Sequence, residues 1–276
     1  MRIGVRAHDF GKLPADELAR RIAAKGMSCV QLAISKAIAG LNLKPGDLTP
    51  GLAFQVGQAF QRQGVQIAVL GCYVNLIDPD LSTRGSLLGL FKEHLRFARD
   101  FGCGLVATET GSVNADYSFH PDNHGEPAFQ ALLRSVAALV EEAETWGVVV
   151  GIEGVTTHVI STPQRMRRLL DEVASNHAQV VFDPVNLLSV ENWREQDRVI
   201  QESLDLFGDR IVVVHAKDFQ VEAGGLKQVR VGQGSFNYPP LLAWLKARKP
   251  GISILLEEAS ESTVEECARF LESTDN

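Results

Sequence analysis

Four apolar runs in this chain each end on a side chain able to ligate a metal ion or carry a proton. "VVVGIE" ends on Glu153, "VVFD" on Asp183, "IVVVH" on His215 and "ISILLE" on Glu257. Runs this apolar read as strands buried on both faces. A carboxylate at the end of such a strand is costly to bury unless it is paired. Each acid has a local reading, as the cap of the turn or helix that follows; Asp183 before Pro184 is the plainest case. Four consecutive strand–helix units ending this way favour a second reading, in which the four side chains converge. Three carboxylates and an imidazole at one place need a counter-charge, and a divalent cation supplies it. Oxygen-rich ligation with one nitrogen suits Mn²⁺, Mg²⁺ or Co²⁺, and Zn²⁺ is also compatible.

Convergence requires a fold that brings strand ends together. Strand-like and helix-like stretches alternate from end to end, beginning with "RIGVRAH", "CVQLAI", "VQIAVLGCYVNL" and "GLVATETG". The helical segments between them are amphipathic, and several stop at a glycine, as at Gly26, Gly64, Gly102 and Gly147. Eight such pairs within 276 residues predict one domain over residues 1–276 with a parallel sheet and right-handed crossovers. A closed (β/α)8 TIM barrel is the simplest α/β arrangement, and a doubly wound open sheet is the alternative. In the barrel, the C-terminal strand ends share one mouth. Side chains alternate along a strand, so inward-facing Glu153, Asp183, His215 and Glu257 place Gly151, Val181, Val213 and Leu255 inward too. The same parity turns Glu258 outward.

The series "GIEG", "FDPVN", "VVVHAKD" and "LLEE" resembles the xylose isomerase-like TIM barrels, the superfamily of sugar and sugar phosphate isomerases and epimerases that includes AP endonuclease family 2. The resemblance spans essentially the whole chain. It implies that Glu153, Asp183, His215 and Glu257 bind one divalent ion, which also takes the carbonyl and hydroxyl oxygens of a sugar. It further implies that Glu153 and Glu257 flank the reacting carbon and move its proton. A Lewis acid on the carbonyl oxygen makes that proton removable by a carboxylate. Asp183 and His215 are then ligands only. Asn186 stands three residues after the Asp, where many members have histidine; its amide can hold a substrate hydroxyl but cannot shuttle protons. The extra histidines of a three-zinc endonuclease are missing.

Other residues have two readings. Glu109 ends the fourth strand and serves either a substrate hydroxyl or a turn. Asn75 in "CYVN" suits a sugar hydroxyl or a turn, and His8 ends the first strand. Lys217 shares the parity of His215, so it either stabilises an oxyanion or pairs with Asp218 at the surface. Trp193 either stacks on a sugar or packs under a loop. "VGQGSFNY" is compatible with a phosphate held by backbone N–H groups or with Ser235 as a helix cap. The loops 112–124 and 219–237 are candidate lids; His120, His124 and His158 lie in loops and are unassigned.

Composition narrows the function. The net charge is −7 and the basic residues are scattered, so nothing marks a nucleic-acid groove. The densest cluster, "RMRRLL", reads as a solvated helix face. Four separated cysteines without a CxxC pair suit free thiols in a reducing cytoplasm. No run approaches the roughly 18 apolar residues of a membrane span. The expectation is a cytoplasmic, metal-dependent isomerase or epimerase of a small carbohydrate, with homo-oligomerisation left open. A keto-inositol-type dehydratase and a non-catalytic sugar-binding barrel are the alternatives.

Overall fold

A computed structural model describes residues 1–274. Eight parallel strands close into a barrel in the order β1-β10-β7-β6-β5-β4-β3-β2. They are β1 (Arg2–Arg6), β2 (Cys29–Leu32), β3 (Gln66–Gly71), β4 (Leu105–Glu109), β5 (Val149–Glu153), β6 (Ala178–Phe182), β7 (Ile211–Ala216) and β10 (Ser253–Leu256). The remaining pair, β8 (Asp218–Glu222) and β9 (Gly225–Val229), forms a separate antiparallel hairpin within the stretch expected to be a long loop. Closure is completed where β1 pairs with both β10 and β2, which excludes the open sheet.

The helices surrounding the barrel are α1 (Ala15–Ala24), α2 (Ile34–Ala37), α3 (Pro50–Arg62), α4 (Leu81–Phe97), α5 (Glu126–Trp146), α6 (Pro163–Val173), α7 (Gln196–Phe207), α8 (Tyr238–Arg248) and α9 (Val264–Thr274). Their ends follow local chemistry. Thr49 accepts a hydrogen bond from the Leu52 N–H to cap α3, and Thr162 caps α6 through Arg165; proline follows each cap. Gly147 ends α5 in the left-handed region, at φ 63°. No helix among the described residues is long and apolar enough to cross a membrane.

The interior is packed rather than hollow. A Cβ on Gly151 would lie 2.9 Å from both Leu105 Cδ1 and Val181 Cγ2, so these three positions share one layer. Val213 and Leu255 are also buried, as the alternation predicts. Each fully buried aliphatic side chain contributes about 1.5–3 kcal/mol. The four cysteines are free and buried. Arg167 and Arg168 pair with Asp171, Glu126 and Glu172 on the outer surface, so "RMRRLL" is a solvated face.

Two expectations are corrected here. The sixth strand stops at Phe182, one residue short of Asp183, where the apolar run was expected to end. Pro184 has no N–H for the ladder, and Asp183 Oδ1 accepts from the N–H groups of Val185 (3.0 Å) and Asn186 (3.1 Å). That starts a 3-10 turn over Val185–Leu187. The "VGQGSFNY" backbone does not await a phosphate: the N–H groups of Gly232 and Phe236 donate to the Asp218 carboxylate. Ser235 caps nothing, since Asn237 precedes α8.

The backbones of β1 and β2 approach closely: a Cβ on Gly4 would meet the Cys29 carbonyl oxygen at 2.1 Å. Backbone cannot yield as a side chain does. Gly4→Ala is therefore expected to destabilise the barrel by at least about 1–3 kcal/mol. Urea denaturation checks this, and wild-type stability in the variant would show that the strands separate freely.

Candidate metal centre

Asp183 carries both readings offered by its sequence. Oδ1 holds the turn, while Oδ2 faces the Lys217 ammonium at 2.9 Å. Ligand atoms of Glu153, Asp183, His215 and Glu257 all lie within 4.8 Å of one another, and all four residues are buried. His215 turns Nδ1 toward Glu153 Oε1 (3.4 Å) and Glu257 Oε1 (3.2 Å). Glu258 is exposed and points away, as its parity predicts; it pairs with Arg6.

Each carboxylate is separately oriented. Glu153 Oε1 accepts from Asn186 Nδ2 at 2.8 Å, and Oε2 accepts from Tyr73 Oη at 3.4 Å. Tyr73 in turn accepts from Gln31 Nε2 at 2.7 Å. Glu257 Oε2 takes Lys217 Nζ at 3.0 Å and Arg6 at 3.3 Å. Charge follows geometry. Burial opposes ionisation of Glu257, but Lys217, His215 and Arg6 outweigh it and hold its pKa near 2. Burial likewise works against the His215 imidazolium, yet Glu153 and Glu257 lift its pKa to about 9. Asp183 is pushed up by burial to about 6 against the pull of Lys217. Lys217 is raised, because Asp183 and Glu257 outweigh its burial.

The residues fit a divalent cation. Among the described residues, seven buried side-chain nitrogen or oxygen atoms lack a hydrogen-bond partner. Five belong to this mouth: Asp183 Oδ2, His215 Nε2, His8 Nδ1, Gln31 Oε1 and His158 Nδ1. Buried polar atoms are usually satisfied, so such a concentration marks a place prepared for a ligand. Asp183 Oδ2 has the ammonium beside it but no aligned hydrogen bond. Three carboxylates and an imidazole are a hard-cation set, in which Lys217 now holds the positive charge.

The mouth opens into a cavity of about 240 Å³. Glu153, Glu257, Glu109, Asn186, Lys217 and His8 all line it. Burial followed by Arg6 pushes His8 down to about 4, so its imidazole is neutral. Lys217 is buried between two acids rather than paired with Asp218 at the surface. Two expected contacts are absent from the cavity wall. Asn75 spends its amide on the loop after β4: Nδ2 donates to Ser112 O and Asn114 O, and Oδ1 accepts from Ile77 and Ser112. Trp193 packs edge-on against Phe219 under the hairpin, with ring centroids 6.1 Å apart.

Sequence reasoning missed several wall residues. Arg6 closes β1 as the acids close theirs, and Gln31 is a polar interruption of an apolar strand; both left a signal. Tyr73 stands two residues past β3, where a Cβ on Gly71 would strike its ring at 2.9 Å. Lys36, His158 and Gln228 come from α2, a loop and the hairpin, with no periodicity to mark them. A larger cavity of about 500 Å³ lies near the start of β3, lined by Phe54, Gln61 and Arg99 among others. It holds none of the cluster residues, so chemistry rather than volume selects the mouth.

The chain belongs to the xylose isomerase-like TIM barrel family, whose model matches residues 18–274. No curated protein matches it in sequence. Solved structures share the fold at low identity. A D-tagatose 3-epimerase-like protein superposes with a TM-score of 0.77 at 16% identity, covering 99% of this chain and 97% of that one. The probable 3-DHS dehydratase AsbF from Bacillus anthracis gives 0.75 at 13% identity, with 99% of each chain covered. The IOLI protein, solved with a zinc atom, gives 0.74 at 15% identity, covering 99% of this chain and 96% of that one.

Replacing Lys217 by methionine tests the charge balance. The variant leaves Asp183 and Glu257 without their ammonium, a loss of about 3–5 kcal/mol for a buried pair. The metal-free variant should melt well below wild type, and added Mn²⁺ should raise its Tm more than it raises that of wild type. Equal Mn²⁺ shifts in both proteins would separate Lys217 from the cation site.

Proposed function

We propose that this protein is a divalent-metal-dependent isomerase or epimerase of a keto sugar or a related polyhydroxy ketone, acting through an enediolate. The observation carrying this reading is the buried Glu153–Asp183–His215–Glu257 cluster at the floor of a polar cavity. The reading takes residues 1–276 as one catalytic domain. When bound by these four side chains, Mn²⁺, Mg²⁺, Co²⁺ or Zn²⁺ would act as a Lewis acid toward the carbonyl oxygen.

The protein's own groups divide the remaining work. Glu153 is the base: Asn186 and Tyr73 fix both of its oxygens, so the carboxylate meets the substrate carbon in one orientation. Glu257 faces it from the far side of His215 and protonates the carbon after taking a proton from solvent, with Lys217 and Arg6 balancing its charge between turnovers. The Lys217 ammonium also stabilises negative charge developing on oxygen. Asn186 offers its remaining amide N–H to a sugar hydroxyl. The dehydratase reading shares the same first step. It gains support from His158, a loop histidine on the cavity wall and outside the cluster.

The test is hydrogen exchange in deuterium oxide. NMR of D-tagatose, other ketoses and keto-inositols with Mn²⁺-loaded protein should show deuterium entering at the carbon beside the carbonyl. Glu153→Gln should slow entry by about 10²–10⁴, the worth of a positioned base. Exchange that survives in this variant, or that persists with a chelator, would remove the mechanism.

A further inference from the structure

The mouth contains a second pair of proton-carrying groups. Glu109 ends β4 in register with Glu153 on β5, so its side chain enters the same cavity. The segment after β5 returns over it and brings His158 Nδ1 to 3.5 Å from Glu109 Oε2. No lysine or arginine among the described residues makes an ion pair with Glu109. Tyr117 packs edge-on against the His158 ring with centroids 4.9 Å apart, and the His158 backbone N–H donates to Val155 O at 2.9 Å.

A histidine that merely filled space would have a partner for its buried nitrogen. His158 is 6% exposed, yet Nδ1 makes no hydrogen bond, and the residue lines the cavity. A carboxyl group behind one ring nitrogen, with the other nitrogen left for substrate, is the general design of an oriented acid–base imidazole. Such contacts are often long before substrate binds and tighten in the complex.

We propose that Glu109 and His158 form a proton relay, distinct from the metal-type cluster, that protonates a hydroxyl leaving from the carbon next to the enolised one. This rests on the enediolate reading above and develops its dehydratase form, in which the substrate is a β-hydroxy ketone and the overall reaction is loss of water. Glu153 takes the proton from the carbon beside the carbonyl, and the C–H electron pair becomes the enolate double bond. The carbonyl re-forms, the new double bond shifts toward the hydroxyl-bearing carbon, and the C–O bond breaks with its electrons on oxygen. His158 Nε2–H gives that oxygen its proton, while Nδ1 receives the proton of the Glu109 carboxyl. The products are an enone and water. The starting state returns when the proton on Glu153 passes through solvent to His158 Nε2 and Nδ1 gives its proton back to Glu109.

The experiment uses the full chain loaded with Mn²⁺ and a panel of D-tagatose, keto-inositols and 3-DHS in deuterium oxide. Carbon-bound deuterium is read by NMR, and enone is read by its ultraviolet absorption. Wild type should give both signals on the same compound. Glu109→Gln and His158→Phe should keep wild-type Mn²⁺ content and much of the deuterium entry, but lose enone formation by about 10²–10⁴. Glu109→Asp and His158→Gln guard against misfolding of the first pair, and Glu109→Asp should recover part of the enone signal. Parallel loss of both signals in variants that keep their metal would place the pair at the deprotonation step and overturn the relay. Unchanged enone formation would do the same. Chelator-sensitive exchange without any enone in wild type would overturn the relay and leave the enediolate reading intact. Absence of both signals across the panel would overturn the two together.

Discussion

Negative charge brought out of water has to be neutralised close by. Glu153, Asp183 and Glu257 are almost wholly shielded from solvent and stand around one imidazole. An unpaired buried carboxylate costs more than a small domain can spare. The surroundings of the mouth follow from this. Lys217 bridges two of the acids, Arg6 reaches across from β1, and Asn186 and Tyr73 donate to the third. The protein can fold around its acids before any ion arrives, because an ammonium already occupies their midst.

The barrel is what makes such a concentration possible. An open sheet would spread its strand ends along a line. Closure wraps β4, β5, β6, β7 and β10 into an arc and points their last inward side chains at one another. The layer beneath is apolar, with Gly151 kept small between Leu105 and Val181. That floor excludes water from below, so the charges above it interact through protein rather than solvent.

Much of this was legible in the sequence, for a physical reason. A strand buried on both faces has a near-continuous apolar signature, so its terminal acid stands out, and a period of two fixes which neighbour faces inward. Glu153, Asp183, His215, Glu257 and Glu109 are all of this kind. The rest of the wall comes from places without periodicity. His158 and Gln228 sit on excursions whose paths depend on tertiary contacts. Asn75 has the right composition and the wrong surroundings: its amide is consumed by its own loop. Trp193 was drawn toward Phe219 by apolar packing, since a large ring gains more from burial than from a solvated rim. The hairpin was hidden because its exposed positions read as a polar loop.

The Asp218 carboxylate has a consequence for how freely the excursion after β7 can vary. It gathers the N–H groups of Phe219, Gly232 and Phe236, so the chain leaves the barrel and rejoins it at nearly the same point. A detour fastened at its base resembles a module plugged into a socket. Its length can change at little entropic expense, because the closure cost grows only slowly with the number of residues enclosed. Only its inner edge, through Gln228 and Asn186, reaches back toward Glu153. The ornament can therefore change in size while the foundation beneath it stays as it is.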